Sequence, residues 1–152
     1  MNSLNVKVNL TLDFIAEVRG FISLDADDLR PFSDAGELLY YGIGHADGKD
    51  MAKKAAERAI SNPLMGTSLK EATDVLVHIT GSLHIDLEDV EIAAGLVVDA
   101  AHKDANIIFG AAFDEDLEYV DIEEKDIKGE IRVIVIARKR ENEQLKMPGV
   151  AV

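Results

Sequence analysis

The stretch that decides the fold is "EIRVIVIARKR", residues 130–140. Ile131, Val133, Ile134, Val135 and Ile136 are all β-branched, and the run is bounded by charge on both sides. It carries the strongest strand signal in the chain. Before it lies a very acidic connection, "EDLEYVDIEEKDIKG" (115–129), and before that "ANIIFGAAFD" (105–114), which reads as another strand. The turn-like connection predicts that these last two strands pair antiparallel.

Working back toward the amino terminus, apolar spacing changes from strand-like to helical and back. "DLEDVEIAAGLVVDAAHK" (86–103) is a helix whose stripe runs through Val90, Ala93, Ala94, Val97 and Ala101. "TDVLVHIT" (73–80) is a strand ended by Gly81. "KDMAKKAAERAIS" (49–61) is a second helix, with Met51, Ala55, Ala59 and Ile60 on one face and lysines with Arg58 on the other. Asn62 before Pro63 breaks it. "ELLYYGIGHA" (37–46) is a strand in which Gly42 and Gly44 suggest close approach of another backbone. Strands alternating with helices predict parallel pairings in a sheet with helices packed on it.

At the amino terminus Val6, Val8, Leu10 and Leu12 alternate with polar residues, the period of a half-buried strand. "DFIAEV" follows and turns at Arg19-Gly20. Asp25 is placed to cap a short helix over residues 26–31, limited by Pro31. The expected organisation is a strand-like extension over 1–17, one domain over 18–139 and a fraying tail over 140–152.

Composition narrows the function. Twenty-nine acids against sixteen bases give a net charge of −13, which repels nucleic acid and anionic membrane surfaces; neither is an expected partner. Cysteine is absent, removing disulfides, thiol nucleophiles and Cys-based zinc sites. No signal peptide and no span of bilayer length is visible, so a cytoplasmic location is expected. "GIGHADGKD" (42–50) matches no phosphate-loop pattern and reads as a strand-to-helix turn. The histidines at 45, 78, 84 and 102 are scattered; His78, inside a strand pattern, reads as a core or sheet-face residue, and no metal site is expected. The serines lack a nucleophile-elbow context. The carboxylates of 114–126 lack the glycine turn of a calcium loop and read as a solvated hairpin.

That leaves "GFISLDADDLR", residues 20–30, where Asp25 and Asp28 stand three apart at a helix start and project together. Pattern alone favours helix capping.

These residues also carry a resemblance. "GFISLDADDLR", "YYGIGHADG", "AAERAISNPL", "VLVHITG", "DANIIFGAAFDEDL" and "GEIRVIVIA" resemble, in order and over roughly Val18 to Ala137, the carboxy-terminal domain of FtsZ, the tubulin-like GTPase of bacterial cell division. The resemblance implies an α+β fold with a mixed four-stranded sheet and two main helices, in the order β-α-β-α-β-β. It also implies that residues 20–28 are a synergy loop of the form Asn-x-Asp-x-x-Asp, which enters the nucleotide site of a neighbouring filament subunit. On that reading Asp25 and Asp28 act catalytically in trans, positioning the water that attacks the partner's GTP, while Gly20 and Ser23 contact the partner. Ser23 stands where the family pattern has asparagine, and the acidic connection before "GEIRVIVIA" is longer than the family norm.

The family's GTP-binding domain has no counterpart in this sequence. The chain is therefore expected to hold no cofactor of its own and not to act as a GTPase alone, with GTP on a partner subunit. An FtsZ-family GTP-binding domain or filament is the expected partner, with a homo-oligomer as a further possibility. The alternative is an oligomeric ligand-binding or scaffold protein using the same fold without a GTPase role.

Overall fold

A computed structural model of the chain describes residues 10–15, 20–32, 38–66, 68–83, 85–123 and 126–139. Residues 10–15 are helical (α1). Then come β1 (Gly20–Ile22), α2 (Ala26–Leu29) with a 3-10 turn (Arg30–Phe32), β2 (Leu38–Asp47), α3 (Met51–Ser61) and β3 (Pro63–Met65). β4 (Asp74–Gly81), α4 (Leu87–Ala100), β5 (Asn106–Phe113), a 3-10 turn (Glu115–Leu117), β6 (Glu118–Asp121) and β7 (Asp126–Arg138) complete the order.

The sheet runs β1-β5-β4-β7-β2-β3, with β6 paired onto β7. Its centre is the expected mixed four-stranded sheet of β5, β4, β7 and β2; the short strands are additions at its edges. β4 and β5 are parallel, from Asp74↔Asn106 to Gly81↔Phe113, and β7 is antiparallel to both β2 and β4. The expected antiparallel pairing of the last two long strands is therefore wrong: β5 and β7 flank β4. A four-residue strand inside the acidic connection, β6, makes the antiparallel hairpin with β7. That leaves the apolar half of β7 free to fill the slot between β2 and β4.

Both sheet faces are covered, which is why every residue of β4 is buried. On one face Val75, Val77, Ile79, Ile131, Val133 and Val135 meet α3 and α4. The small inward residues of α3, Ala52, Ala55, Ala56 and Ala59, let the helix lie directly on β2. A Cβ at Gly42 would collide with the Ala59 carbonyl and one at Gly44 with that of Ala55, so these glycines set the closeness of approach. Tyr40 on β2 is fully buried and donates its hydroxyl to the Ala59 carbonyl at 2.6 Å; burial pushes its pKa up to about 12.

On the other face Leu76, Ile134 and Ile136 pack under Leu12, Ile15, Leu29 and Phe32. Where the strand expected over Val6–Leu12 falls on described residues, at Leu10–Leu12, it is corrected to a helix. In a strand Leu10 and Leu12 would share a face, but Leu12 is 5% exposed and Leu10 63%. The buried pair is Leu12 and Ile15, the i, i+3 spacing of a helix. Thr11 shares a 2.9 Å hydrogen bond with the Tyr41 hydroxyl, which fixes α1 to β2. The readings of residues 1–9 and of the tail from 140 lie outside the described residues.

Under α1 sits His78, 2% exposed, with Phe14 edge-on at 6.3 Å and Thr80 Oγ1 3.3 Å from its Nδ1. Desolvation lowers its pKa from 6.5 to about 4. A folded-state value below the unfolded one means the neutral ring supports folding above pH 6.5, and that support is lost as the pH falls toward 4. Urea unfolding at pH 7 and pH 5 is expected to show a His78-dependent loss on the order of 2 kcal/mol. The His78→Asn variant should lose that part of the pH slope; an unchanged slope would show that His78 does not carry it.

Candidate functional site

Asp25 and Asp28 lie at the free edge of the sheet. β1 pairs antiparallel with β5 through Gly20↔Ala112 and Ile22↔Ala111, with a register shift between them. The chain then crosses Gly110, where an added Cβ would stand 3.0 Å from the Ile22 carbonyl and from Leu24 Cγ. Glycine there lets β1 sit flat on the strand edge. Leu29 and Phe32 are buried on the second sheet face and anchor the far end of the segment. Pro31 has no N–H to continue the α-helical ladder, and the segment tightens into the 3-10 turn at Arg30.

Between these anchors Asp25 is the N-cap of α2. Its Oδ1 accepts from the Asp28 N–H at 3.0 Å, and Asp28 Oδ2 accepts from the Asp25 N–H at 3.1 Å, a reciprocal capping box. Each carboxylate spends one oxygen in the box. Both side chains are exposed, as is Ser23, while Gly20 is part of β1. Asp27 and Arg30 form an exposed ion pair beside them, which contributes little.

The same arrangement recurs at α4, where the sequence analysis did not single it out. Asp86 Oδ1 accepts from Asp89 N–H at 3.0 Å and Asp89 Oδ2 from Asp86 N–H at 3.1 Å. The signal was present in the sequence, since "DADD" (25–28) and "DLED" (86–89) share the spacing. Burial raises the Asp89 pKa above the ordinary carboxylate value, and the neighbouring Asp86 charge adds to the shift. The second box caps a helix of fourteen residues, the first one of four.

The surface between β1 and α4 is apolar. An apolar groove of about 480 Å³, lined by Ile22, Leu87, Val90, Glu91, Ala94 and Phe109, opens next to β1. Leu87 and Phe109 are exposed there. The second box borders this groove, since Leu87 lies between Asp86 and Asp89, whereas Asp25 and Asp28 are not among its lining residues. Of residues 42–50, expected to form a strand-to-helix turn, 42–47 belong to β2 and only 48–50 make the turn, with Gly48 and Asp50 both in the left-handed region. His84 lies outside the described residues. Among the described residues no group of three His, Cys, Asp or Glu side chains is placed to hold a metal ion.

A family model described as the FtsZ family, C-terminal domain, matches residues 38–139, beginning after the Asp25–Asp28 box. The cell division protein FtsZ of Magnetospirillum gryphiswaldense is 40% identical over 131 residues, 85% of this chain and 21% of that protein. FtsZ of Caulobacter vibrioides is 42% identical over 119 residues, 78% of this chain and 22% of that protein. The chain spans about a fifth of the length of these curated relatives. Among solved structures, an empty FtsZ dimer from M. jannaschii aligns with a TM-score of 0.70 at 27% identity, over 88% of this chain and 36% of that one. CetZ from Methanosaeta thermophila shares the fold at a TM-score of 0.59 and 15% identity, over 95% of this chain and 38% of that one.

The two boxes differ in what they stabilise. Asp86→Ala is expected to cost about 1 kcal/mol in urea unfolding, and Asp25→Ala less, because α2 contributes only one turn. Equal costs would mean that the Asp25 box is as structural as the Asp86 box.

Proposed function

Since the chain belongs to the FtsZ family, with its described fold that of the family's C-terminal domain, we propose that it is an assembly module for cell-division filaments. It docks on a partner subunit that carries the GTP-binding domain and presents Asp25 and Asp28 to that partner's nucleotide. The observation that carries this reading is the pair of exposed carboxylates, held in a fixed geometry by their capping box just after the edge strand β1. The capping box orients both side chains without burying them, so each retains an oxygen for a second task.

The chemistry asked of them is modest. Phosphoryl transfer to water depends mostly on positioning and electrostatics. One carboxylate accepts a proton from, or orients, the attacking water, and the other holds the geometry. GTP and its binding residues come from the partner. Ser23 puts a shorter hydroxyl side chain where the family pattern has an amide. The groove supplies apolar area for docking, the term that holds most protein interfaces together.

The test is GTP turnover by an FtsZ partner with this chain titrated in, comparing wild type with Asp25→Asn/Asp28→Asn. Asparagine caps helices about as well as aspartate, so this variant keeps the fold while removing the charge. Wild type is expected to change turnover at substoichiometric amounts, with the carboxylate-dependent part of the effect reduced tenfold or more in the variant. Identical effects of the two proteins would leave Asp25 and Asp28 as caps only. No effect of either would remove the docking itself.

A further inference from the structure

Strand β5 has two edges and uses only one of them fully. It pairs with β4 from Asn106 to Phe113, whereas on its other side β1 meets it only at Ala111 and Ala112. We propose that the open half of this edge takes a short extended segment of a partner protein as an added strand, with the segment's apolar side chains seated in the groove beside α4.

The direction of the backbone groups follows from the two ends of the strand. Asn106 N–H donates to the Thr73 carbonyl and Asp114 N–H to the Gly81 carbonyl, both at 2.8 Å and both on the β4 side. Successive strand residues point their N–H and C=O groups to opposite sides, so Ile107 and Phe109 direct theirs outward. Among the described residues no strand pairs with them. Edge strands are ordinarily guarded by charge, proline or a covering element. The stretch "NIIFG" (106–110) has neither charge nor proline, and Asn106 and Phe109 are exposed.

The groove lies along the same edge. Ile22 and Phe109 line it from the sheet, and Leu87, Val90 and Ala94 from α4. Helical spacing puts Val98 in line with Leu87 and Ala94, and Leu87, Val98 and Phe109 are all exposed. A strand added to Ile107 and Phe109 turns every second side chain toward this stripe. Its main chain then supplies affinity, and the groove selects apolar residues. Glu91 is the one charged residue lining the groove, and on a chain of net charge −13 it favours a segment carrying Lys or Arg.

The register argues against a second copy of this chain as the occupant. Antiparallel pairing of Ile107 with Phe109 of another copy would set that copy's Ala111 opposite Ala105. Its β1 already lies along Ala111 and would collide with the chain entering β5 at Asn106. A lone extended segment brings no such element with it. The added strand needs neither nucleotide nor Asp25 and Asp28. It shares only the groove with the filament docking proposed above, so either reading can fail without the other.

The experiment is residue-resolved hydrogen exchange on the whole chain by NMR. The probe is a synthetic peptide alternating valine and threonine between terminal lysines. Saturating peptide is expected to slow exchange at the Ile107 and Phe109 amides roughly tenfold or more, while Ile108, which faces β4, changes little. The same peptide with an N-methylated backbone should not bind. Leu87→Glu and Val98→Glu, both at exposed positions, should each weaken binding roughly tenfold with unchanged thermal stability. No slowing at Ile107 and Phe109 up to millimolar peptide would overturn the proposal, as would either variant binding like wild type. So would equal binding of the N-methylated peptide, which would leave a merely apolar contact. The same slowing in the chain alone as its concentration rises would give the edge to a second copy and overturn it too.

Discussion

Strand β7 is hydrogen-bonded along both edges, to β2 from Leu38↔Arg138 to Asp47↔Glu130 and to β4 from Asp74↔Arg138 to Gly81↔Ile131. The other elements are arranged by this constraint. A strand in that position is buried on both faces, and Ile131 and residues 133–137 are. Each face then needs its own cover, which α3 and α4 supply on one side and α1, α2 and the Arg30–Phe32 turn on the other. Because β7 is longer than its neighbours, its first residues overrun β2 and β4 and pair with β6.

Much of this was legible in the sequence, and the misses have physical causes. The alternation of apolar runs and helical stripes located β2, α3, β4, α4, β5 and β7, because local periodicity is set by the faces each element buries. The order of strands was not legible. Which strand slots between which depends on contacts far apart in sequence, and β7 reaches back past β5 and α4 to join β2. The amino-terminal error is of another kind. Leu10, Leu12 and Ile15 fit a strand or a helix over so short a window, and only the burial of Leu12 with Ile15 under the Thr11–Tyr41 contact decides between them.

The site was legible in composition but not in meaning. Asp25 and Asp28 do form the box their spacing suggested, and so do Asp86 and Asp89. Identical hydrogen bonding at both places shows that capping geometry alone does not mark a functional carboxylate. Location separates them. The first box follows the short edge strand β1 and caps a single turn, whereas the second begins a long helix packed on the core. The groove joins residues from β1, α4 and β5, so no single stretch of sequence announces it.

The central claim is that the β1–β5 edge faces a partner's nucleotide. The chain has no cysteine, so Ser23→Cys creates a single attachment point for a short crosslinker on the exposed residue two before Asp25. Crosslinking this variant to FtsZ filaments, followed by mass spectrometry of the joined peptides, measures the contact directly. Crosslinks confined to segments around the filament's GTP site are the predicted result. Crosslinks concentrated elsewhere on FtsZ, with efficient labelling and none near the nucleotide, would contradict it.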